Sequence, residues 1–218
     1  TVNNGQPLQG TGEFTEVKDH VATYEAEGKH PAVAVQVKTI TEYDGCQRVE
    51  MTLEPGTQGK ELQNMWLDIP IKDEMAPLWH CTSTTIRNNP AGSTPEGQGL
   101  VWDSREFPDG SWYGNFKPYI WFGAEERGIC WFADNDRNWV LDVDEDDPEA
   151  SSACLEVFRK DGVLTLRINL VQKPFTVTSP RTIVFGLMAS PAKPMVDNWR
   201  NIVPSSMWAY GGKVPGYR

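Results

Sequence analysis

Four carboxylates stand close together in the middle of the chain, among several tryptophans. Glu125 and Glu126 lie between two apolar runs, and a second acidic pair at 134 and 136 follows the later run. Two carboxylates flanking a sugar ring can serve as general acid and as base or nucleophile in glycoside hydrolysis. A solvated hairpin explains the same pattern without chemistry, because charged turns between apolar strands are common. We therefore treat Asp134, Asp136 and the two glutamates as a candidate site and predict no catalytic residue.

Aromatic side chains form the second candidate group. Their faces stack on sugar rings, whereas a buried indole needs a partner for its N–H group. Trp121 and Trp131 lie within apolar runs, which favours positions in the core. Trp102, Trp112 and Tyr113 instead lie in a stretch rich in Gly, Pro and Ser, where an aromatic side chain has less core to join. We predict ligand or domain-interface contacts for these three residues.

Metal and cofactor motifs are absent from the sequence. The acidic run that begins at Asp142 lacks the glycine and the final glutamate of an EF-hand loop. His20, His30 and His80 are far apart, and no Cys-x-x-Cys pair is present. A P-loop, a dinucleotide fingerprint and a Gly-x-Ser-x-Gly elbow are also missing. We predict no metal site and no cofactor.

The four cysteines leave the redox compartment open. They stand singly, at Cys46, Cys81, Cys130 and Cys154. Buried thiols explain them, and an even number also permits disulfides in an oxidising compartment. The sequence does not decide between these two states.

Charge and hydropathy exclude two classes of partner. Thirty acidic and twenty basic residues give a formal net charge of -10, which repels nucleic acid phosphates and anionic membrane surfaces. The sequence contains no run of about 20 apolar residues that would span a bilayer. We therefore predict neither nucleic acid binding nor membrane insertion.

Strict alternation of apolar and polar residues recurs along the chain and predicts strands with one buried face. Val49, Met51 and Leu53 alternate with polar neighbours. The runs 155–159 and 163–171 flank an Asp-Gly pair, which supplies the positive φ angles of a tight hairpin turn. Further strands are predicted at 33–37, 65–71, 78–86 and 183–188, the last buried on both faces.

These elements predict an all-β fold, a two-layer antiparallel β-sandwich with long loops and little helix. The domain spans residues 1–190. A long loop is predicted between 88 and 114, with a short strand near 100–102. Residues 191–218 contain four prolines and little periodicity, so we predict a connector that leads to a downstream domain.

Two motifs in the second half of the chain resemble those of a known family. The first is PYIWFGAEERGICWFADNDRNW at 118–139, and the second is GLMASPAKP at 186–194 with Trp-Arg at 199–200. In order and spacing they resemble a family of bacterial glycoside-hydrolase-like proteins that is distantly related to the family 123 β-N-acetylgalactosaminidases. Asn138 replaces a glycine of that pattern, and Met188 and Ser190 also depart from it.

The resemblance implies a β-sandwich that precedes a catalytic (β/α)8 barrel. The catalytic acids of a substrate-assisted mechanism would belong to that downstream barrel, and the protein would be periplasmic or extracellular. The sandwich would lend side chains to the rim of the substrate cleft. The candidate cleft-rim or ligand contacts are Glu125, Glu126, Arg127, Asp134, Asp136, Trp102, Trp112, Tyr113 and Trp139.

The composition also fits a purely structural surface or adhesion domain, but the motif resemblance favours three other functions. The first is a non-catalytic sandwich domain of a larger carbohydrate-processing protein, with the downstream catalytic domain of the same polypeptide as its partner. The second is a carbohydrate-binding module that holds a glycan with exposed Trp and Tyr, and the third is a small complete glycosidase with paired carboxylates. A row of exposed tryptophans would favour the second, and an apolar patch near the C-terminal end would favour the first.

Overall fold

The protein is described here by a computed structural model covering residues 1–3, 5–82, 89–106, 115–144, 147 and 150–192. These ranges contain two antiparallel sheets and two 3₁₀ turns, Asp73–Met75 and Ser104–Glu106. The predicted all-β sandwich is therefore confirmed. The strands are β1 (Gly10–Lys18), β2 (Val21–His30), β3 (Val33–Glu42), β4 (Cys46–Pro55), β5 (Met65–Lys72), β6 (Leu78–Cys81), β7 (Ala91–Ser93), β8 (Gly99–Asp103), β9 (Tyr119–Ala124), β10 (Arg127–Phe132), β11 (Leu155–Lys160), β12 (Val163–Val171) and β13 (Arg181–Ser190).

The two sheets differ in size. The larger has nine strands in the order β1-β2-β3-β4-β13-β10-β9-β6-β7, and the smaller has the order β5-β12-β11-β8. Strand β13 lies in the middle of the larger sheet, as its long apolar run predicts. Its burial on both faces was predicted wrongly, because Val184 is 40% exposed on the face that points away from the smaller sheet. We call this face of the larger sheet the outer face.

Alternating residues place the core between the two sheets. Val49, Met51 and Leu53 of β4 are at most 8% exposed, which confirms the predicted inward face of this strand. Residues of β13 and β10 continue the same layer, including Phe185 and Trp131. Burying such a side chain contributes roughly 1.5–3 kcal/mol, so this layer supplies much of the stability.

The hairpin between β11 and β12 has the predicted turn. Asp161 and Gly162 have φ angles of 51° and 77°, and Lys160 pairs with Val163 across the turn. Two positive φ angles match the right-handed twist of the flanking strands. The Asp-Gly signal therefore fixed the register of this hairpin correctly.

Three strands of the larger sheet were not predicted: β1 and β2 at one edge, and β7 at the other, within the predicted loop. Most side chains of β1 are exposed, and Phe14 and Val17 retain 65% and 71% of their accessible surface. A strand with little burial does not need apolar residues at every second position, so its sequence lacks the alternation that marks the other strands. Strand β2 pairs with it in antiparallel register, with a shift between Phe14 and Glu16.

The four cysteines are free thiols in this structure. Cys81 and Cys154 have no exposed surface, and burial raises the pKa of each thiol to about 12. Lys117 is also fully buried, and burial lowers the pKa of its ammonium group. The core of the sandwich therefore contains groups whose protonation differs between the folded and unfolded chain.

We expect the two thiols to make the protein less stable above pH 9. In the unfolded chain a thiol ionises near its ordinary pKa of 9.0, whereas Cys81 and Cys154 stay protonated in the folded protein up to about 12. Between these values the unfolded state binds fewer protons, so each thiol removes up to about 1.4 kcal/mol of unfolding free energy per pH unit. Lys117 contributes a slope of the opposite sign, because its folded pKa is lowered.

Urea denaturation between pH 8 and 10.5, under reducing conditions, measures this slope. The variant carrying Cys81→Ala and Cys154→Ala should be less stable at pH 8 but should lose less stability as the pH rises. Identical slopes for the two proteins would contradict the burial of these thiols.

Candidate functional site

The two motifs that carry the family resemblance lie side by side in the structure. Strands β9 and β10 form a hairpin with Glu125 and Glu126 as its two-residue turn, and β13 pairs with β10 along its other edge. The segments 119–132 and 186–190 therefore build one continuous part of the larger sheet, whereas residues 193–200 of the second motif lie outside the described residues. Their side chains on the outer face form the region described next.

Trp121 lies in a shallow trough on the outer face. Gly123 pairs with Gly128, and Gly128 pairs with Ser190, so the three residues form one row across the sheet. The indole lies against both glycines and donates a hydrogen bond from Nε1 to Ser190 Oγ at 2.9 Å. A Cβ atom on either glycine would overlap the indole, which explains why the row has no larger side chain. Ser190, a departure from the family pattern, is the residue that satisfies the indole N–H.

The core position that the sequence favoured for Trp121 was therefore wrong. Trp121 is half-buried on the outer face, whereas Trp131 is 1% exposed in the core, as predicted. Both residues lie in apolar runs, so the alternation around them does not separate the two faces. The glycine two residues after Trp121 is the missed signal, because a glycine within a strand often marks the close approach of another group.

A row of buried and half-buried apolar side chains continues from Trp121 across the sheet. Cys130 pairs with Trp121 on one side and with Met188 on the other, and Tyr119 stands one pair away on β9. Burial is the main reason that the pKa of the Tyr119 hydroxyl is raised. We call Tyr119, Trp121, Cys130 and Met188 the outer patch. It lies beside Ser190, the last residue of β13.

A groove adjoins the outer patch at the other half of β13. Its volume is about 840 Å³, and Phe132 and Gly186 lie on its floor. Four charged residues line it, of which Arg48 is held by an ion pair with Glu50. We call this feature the outer groove. Its lining residues are Glu42, Cys46, Gln47, Arg48, Pro118, Phe132, Ala133, Asp134, Asn135, Arg137, Thr182, Val184, Phe185 and Gly186.

The loop after β10 forms one wall of the outer groove and is held by its own polar contacts. Asn135 donates to the Asp134 carboxylate at 2.9 Å and accepts from the Arg137 backbone N–H at 2.9 Å. Asn138 donates to the Thr182 carbonyl oxygen at 2.8 Å. Its φ of 70° lies in the left-handed region, which asparagine tolerates better than most residues. Asn138 thus occupies a conformation that glycine also adopts readily.

The structure separates the candidate carboxylates into two places. Asp134 lines the outer groove, and Asp136 is exposed on the same loop. Glu125 and Glu126 are exposed at the opposite end of β10, next to Arg127. A strand of this length spans roughly 20 Å, whereas the paired carboxylates of glycosidases stand at most about 9.5 Å apart. The turn and the loop therefore cannot supply the two members of one catalytic pair.

Two of the aromatic candidates are buried, so their predicted ligand contacts were wrong. Trp102 is 2% exposed, because β8 pairs with β11 and directs it into the core against Trp79 at 5.2 Å between ring centroids. Trp139 is 7% exposed and packs beneath the loop against Phe116 at 5.6 Å. The short strand predicted near 100–102 is present as β8, but the sequence did not show its pairing with β11, which buries Trp102. Trp112 and Tyr113 lie outside the described residues.

Among the residues that line the outer groove, sequence reasoning named Asp134 as a site residue and missed the others, three of which matter most for binding. Phe132, Arg48 and Arg137 lie on two strands and a loop that are brought together only by the pairing of β10 and β4 with β13. Long-range register is not visible in a single sequence.

Within the described residues, no group of three or more His, Cys, Asp or Glu side chains is placed to hold a metal ion. The same residues include no helix with the length and hydropathy needed to cross a membrane.

Comparison with known proteins leaves the family unassigned. No protein-family model matches the chain, and no curated protein matches it. Among solved structures, the chain is similar to the crystal structure of a galactose mutarotase-like protein from Lactobacillus casei ATCC 334. The match has 9% sequence identity and a TM-score of 0.24, and it covers 87% of this chain and 72% of that chain. A TM-score this low identifies neither a shared fold nor a shared activity.

Proposed function

We propose that the chain is a non-catalytic β-sandwich domain of a larger, glycoside-hydrolase-like protein, in which it supports a downstream catalytic domain. The observation that carries the proposal is the outer patch. Two motifs that are distant in the sequence meet there, and Trp121 is fixed by Gly123, Gly128 and Ser190 in a half-buried position. The carbohydrate context comes from the resemblance of these motifs to the glycoside-hydrolase-like family.

The position of the outer patch favours a partner within the same polypeptide. The patch lies at the end of β13, and the chain continues from Ser190 directly beside it. A downstream domain of the same polypeptide would be tethered to the end of the strand that borders the patch. Interfaces between domains of one chain are typically built from such mixed surfaces, with apolar side chains among polar ones. Covering Trp121 and Met188 would remove their remaining apolar surface from water, which favours docking.

The positions of the four carboxylates support a domain that does not itself hydrolyse glycosides. Glu125 and Glu126 are separated from Asp134 and Asp136 by the length of β10, and all four are exposed to solvent. Catalytic acids are usually desolvated, because burial raises the pKa toward the working pH. The described part of the chain also shows no row of exposed tryptophans, since Trp79, Trp102, Trp131 and Trp139 are all buried.

Hydrolysis of a panel of aryl glycosides, including a β-N-acetylgalactosaminide, tests the proposal. The isolated chain and a polypeptide extended several hundred residues past Arg218 are compared at equal molar concentration. We expect no turnover above background from the isolated chain and turnover from the extended polypeptide. Turnover by the isolated chain would contradict the proposal. If that turnover disappeared in the variant Asp134→Asn, the chain would instead be a small glycosidase.

A further inference from the structure

We infer that the outer groove is a binding subsite for a neutral pyranose unit of a glycan. The inference rests on the proposed function for its carbohydrate context, and on the residues of the groove for the class of ligand. It assigns a binding role to Phe132, Asp134 and Arg137, whereas the outer patch remains the contact with the catalytic domain.

The floor of the groove offers an aromatic ring in a fixed position. The Phe132 ring lies directly over Gly186 of the neighbouring strand, because a Cβ at that position would overlap three atoms of the ring. The outer end of the ring, at Cζ, Cε1 and Cε2, is thus held close to the backbone of β13, and the ring remains half-buried while it lines the groove. The C–H face of a pyranose is apolar and packs well on an aromatic side chain. Gly186 therefore sets the height of the platform on which such a sugar would rest.

The walls of the groove offer polar groups on both sides of the ring. Asp134 and Arg137 are exposed on the loop side, and Arg48 and Glu42 are exposed on the side of β3 and β4. Carboxylates accept hydrogen bonds from sugar hydroxyls, and guanidinium groups donate to them. Hydrogen bonds to charged groups are stronger than those between neutral groups, so a few of them are enough to orient a sugar.

The charge balance of the groove favours a neutral ligand. Two arginines and two carboxylates line the groove, and the Glu50 carboxylate pairs with Arg48, so two positive and three negative charges leave the groove without an excess of positive charge. The whole chain has a formal net charge of -10, which repels anionic sugars at longer range. A uronic acid polymer is therefore disfavoured relative to an uncharged glycan of the same length.

The groove is held in shape before any ligand arrives. Asn135 makes hydrogen bonds within the loop, and Asn138 donates one to the Thr182 carbonyl oxygen. At the end of the loop, Trp139 is buried in the core. Binding to a preorganised site costs less conformational entropy than binding to a mobile loop. The volume of about 840 Å³ also lies within the usual range for small-molecule sites, roughly 300–1,000 Å³.

Isothermal titration of this chain with defined tetrasaccharides tests the inference. The probes are β-linked N-acetylglucosamine, β-linked galactose, β-linked glucose and α-linked mannose tetramers, with tetragalacturonate as the anionic comparison. We expect at least one neutral probe to bind more tightly than tetragalacturonate. No binding by any neutral probe, or preference for tetragalacturonate, would overturn the inference.

Variants of the groove locate the bound sugar. Phe132→Ala and Arg137→Met should each weaken binding of the best probe at least tenfold, and Gly186→Ala should weaken it by lifting the ring. The control Glu27→Gln lies on β2 outside the groove and should stay within twofold of the original chain. Since these residues lie on the outer surface, circular dichroism should show each variant folded. Binding that survives both Phe132→Ala and Arg137→Met would overturn the inference, whereas turnover by the isolated chain would overturn only the proposed function.

Discussion

Replacing Gly123 with alanine should lower the free energy of unfolding by about 3 kcal/mol. A Cβ at this position would lie 2.6 Å from the Cα atom of Gly128 and even closer to the Arg127 carbonyl oxygen. Both atoms belong to the backbone of the paired strand, so they move only if the hairpin opens. The same Cβ would also push the Trp121 indole out of its trough. The expected loss of stability therefore has two causes: the added Cβ is too close to its neighbours, and the β9–β10 hairpin is weakened.

Gly128→Ala is the matched control for this effect. The three atoms nearest to its added Cβ all belong to the Trp121 indole, so a side chain can move instead of the backbone. We expect a loss of about 1 kcal/mol or less from this variant, together with an altered tryptophan fluorescence. Urea denaturation followed by circular dichroism measures both variants. A loss from Gly123→Ala no greater than that from Gly128→Ala would contradict the account of the trough.

Structural features that depend on residues close together in the sequence could be predicted, as strand β4 and the β11–β12 turn show. Val49, Met51 and Leu53 face the core because a strand with one wet face must alternate. Asp161 and Gly162 adopt positive φ angles because the turn requires them. Such features depend on neighbours in the sequence, so one sequence is enough to predict them.

The candidate site was predicted only in part, because it depends on pairing between distant strands. Asp134 was named from its position after a strand, and it does line the outer groove. Phe132 gains its place from Gly186, and Arg48 reaches the same groove through the pairing of β4 with β13. No pattern among neighbouring residues of the sequence shows how these distant strands pair. The error for Trp102 has the same origin. The pairing of β8 with β11 buries this residue, although its neighbours in the sequence are typical of a loop.

The central claim is that the outer patch is covered by a downstream catalytic domain. Trp121 and Met188 are half-buried in this chain, so each keeps some surface that reacts with radicals in solution. A docked domain would cover that surface, and the rate of oxidation at both residues should fall several-fold. Phe14 offers an internal control, because it is 65% exposed on β1, at the edge of the sheet and away from the patch.

Hydroxyl-radical footprinting of the isolated chain and of the extended polypeptide is the most direct measurement of this claim. Oxidation of each residue is read by mass spectrometry after equal exposure of the two proteins. The account predicts that Trp121 and Met188 are protected several-fold in the extended polypeptide, while Phe14 is oxidised at the same rate in both. Equal oxidation of Trp121 and Met188 in the two proteins would contradict it.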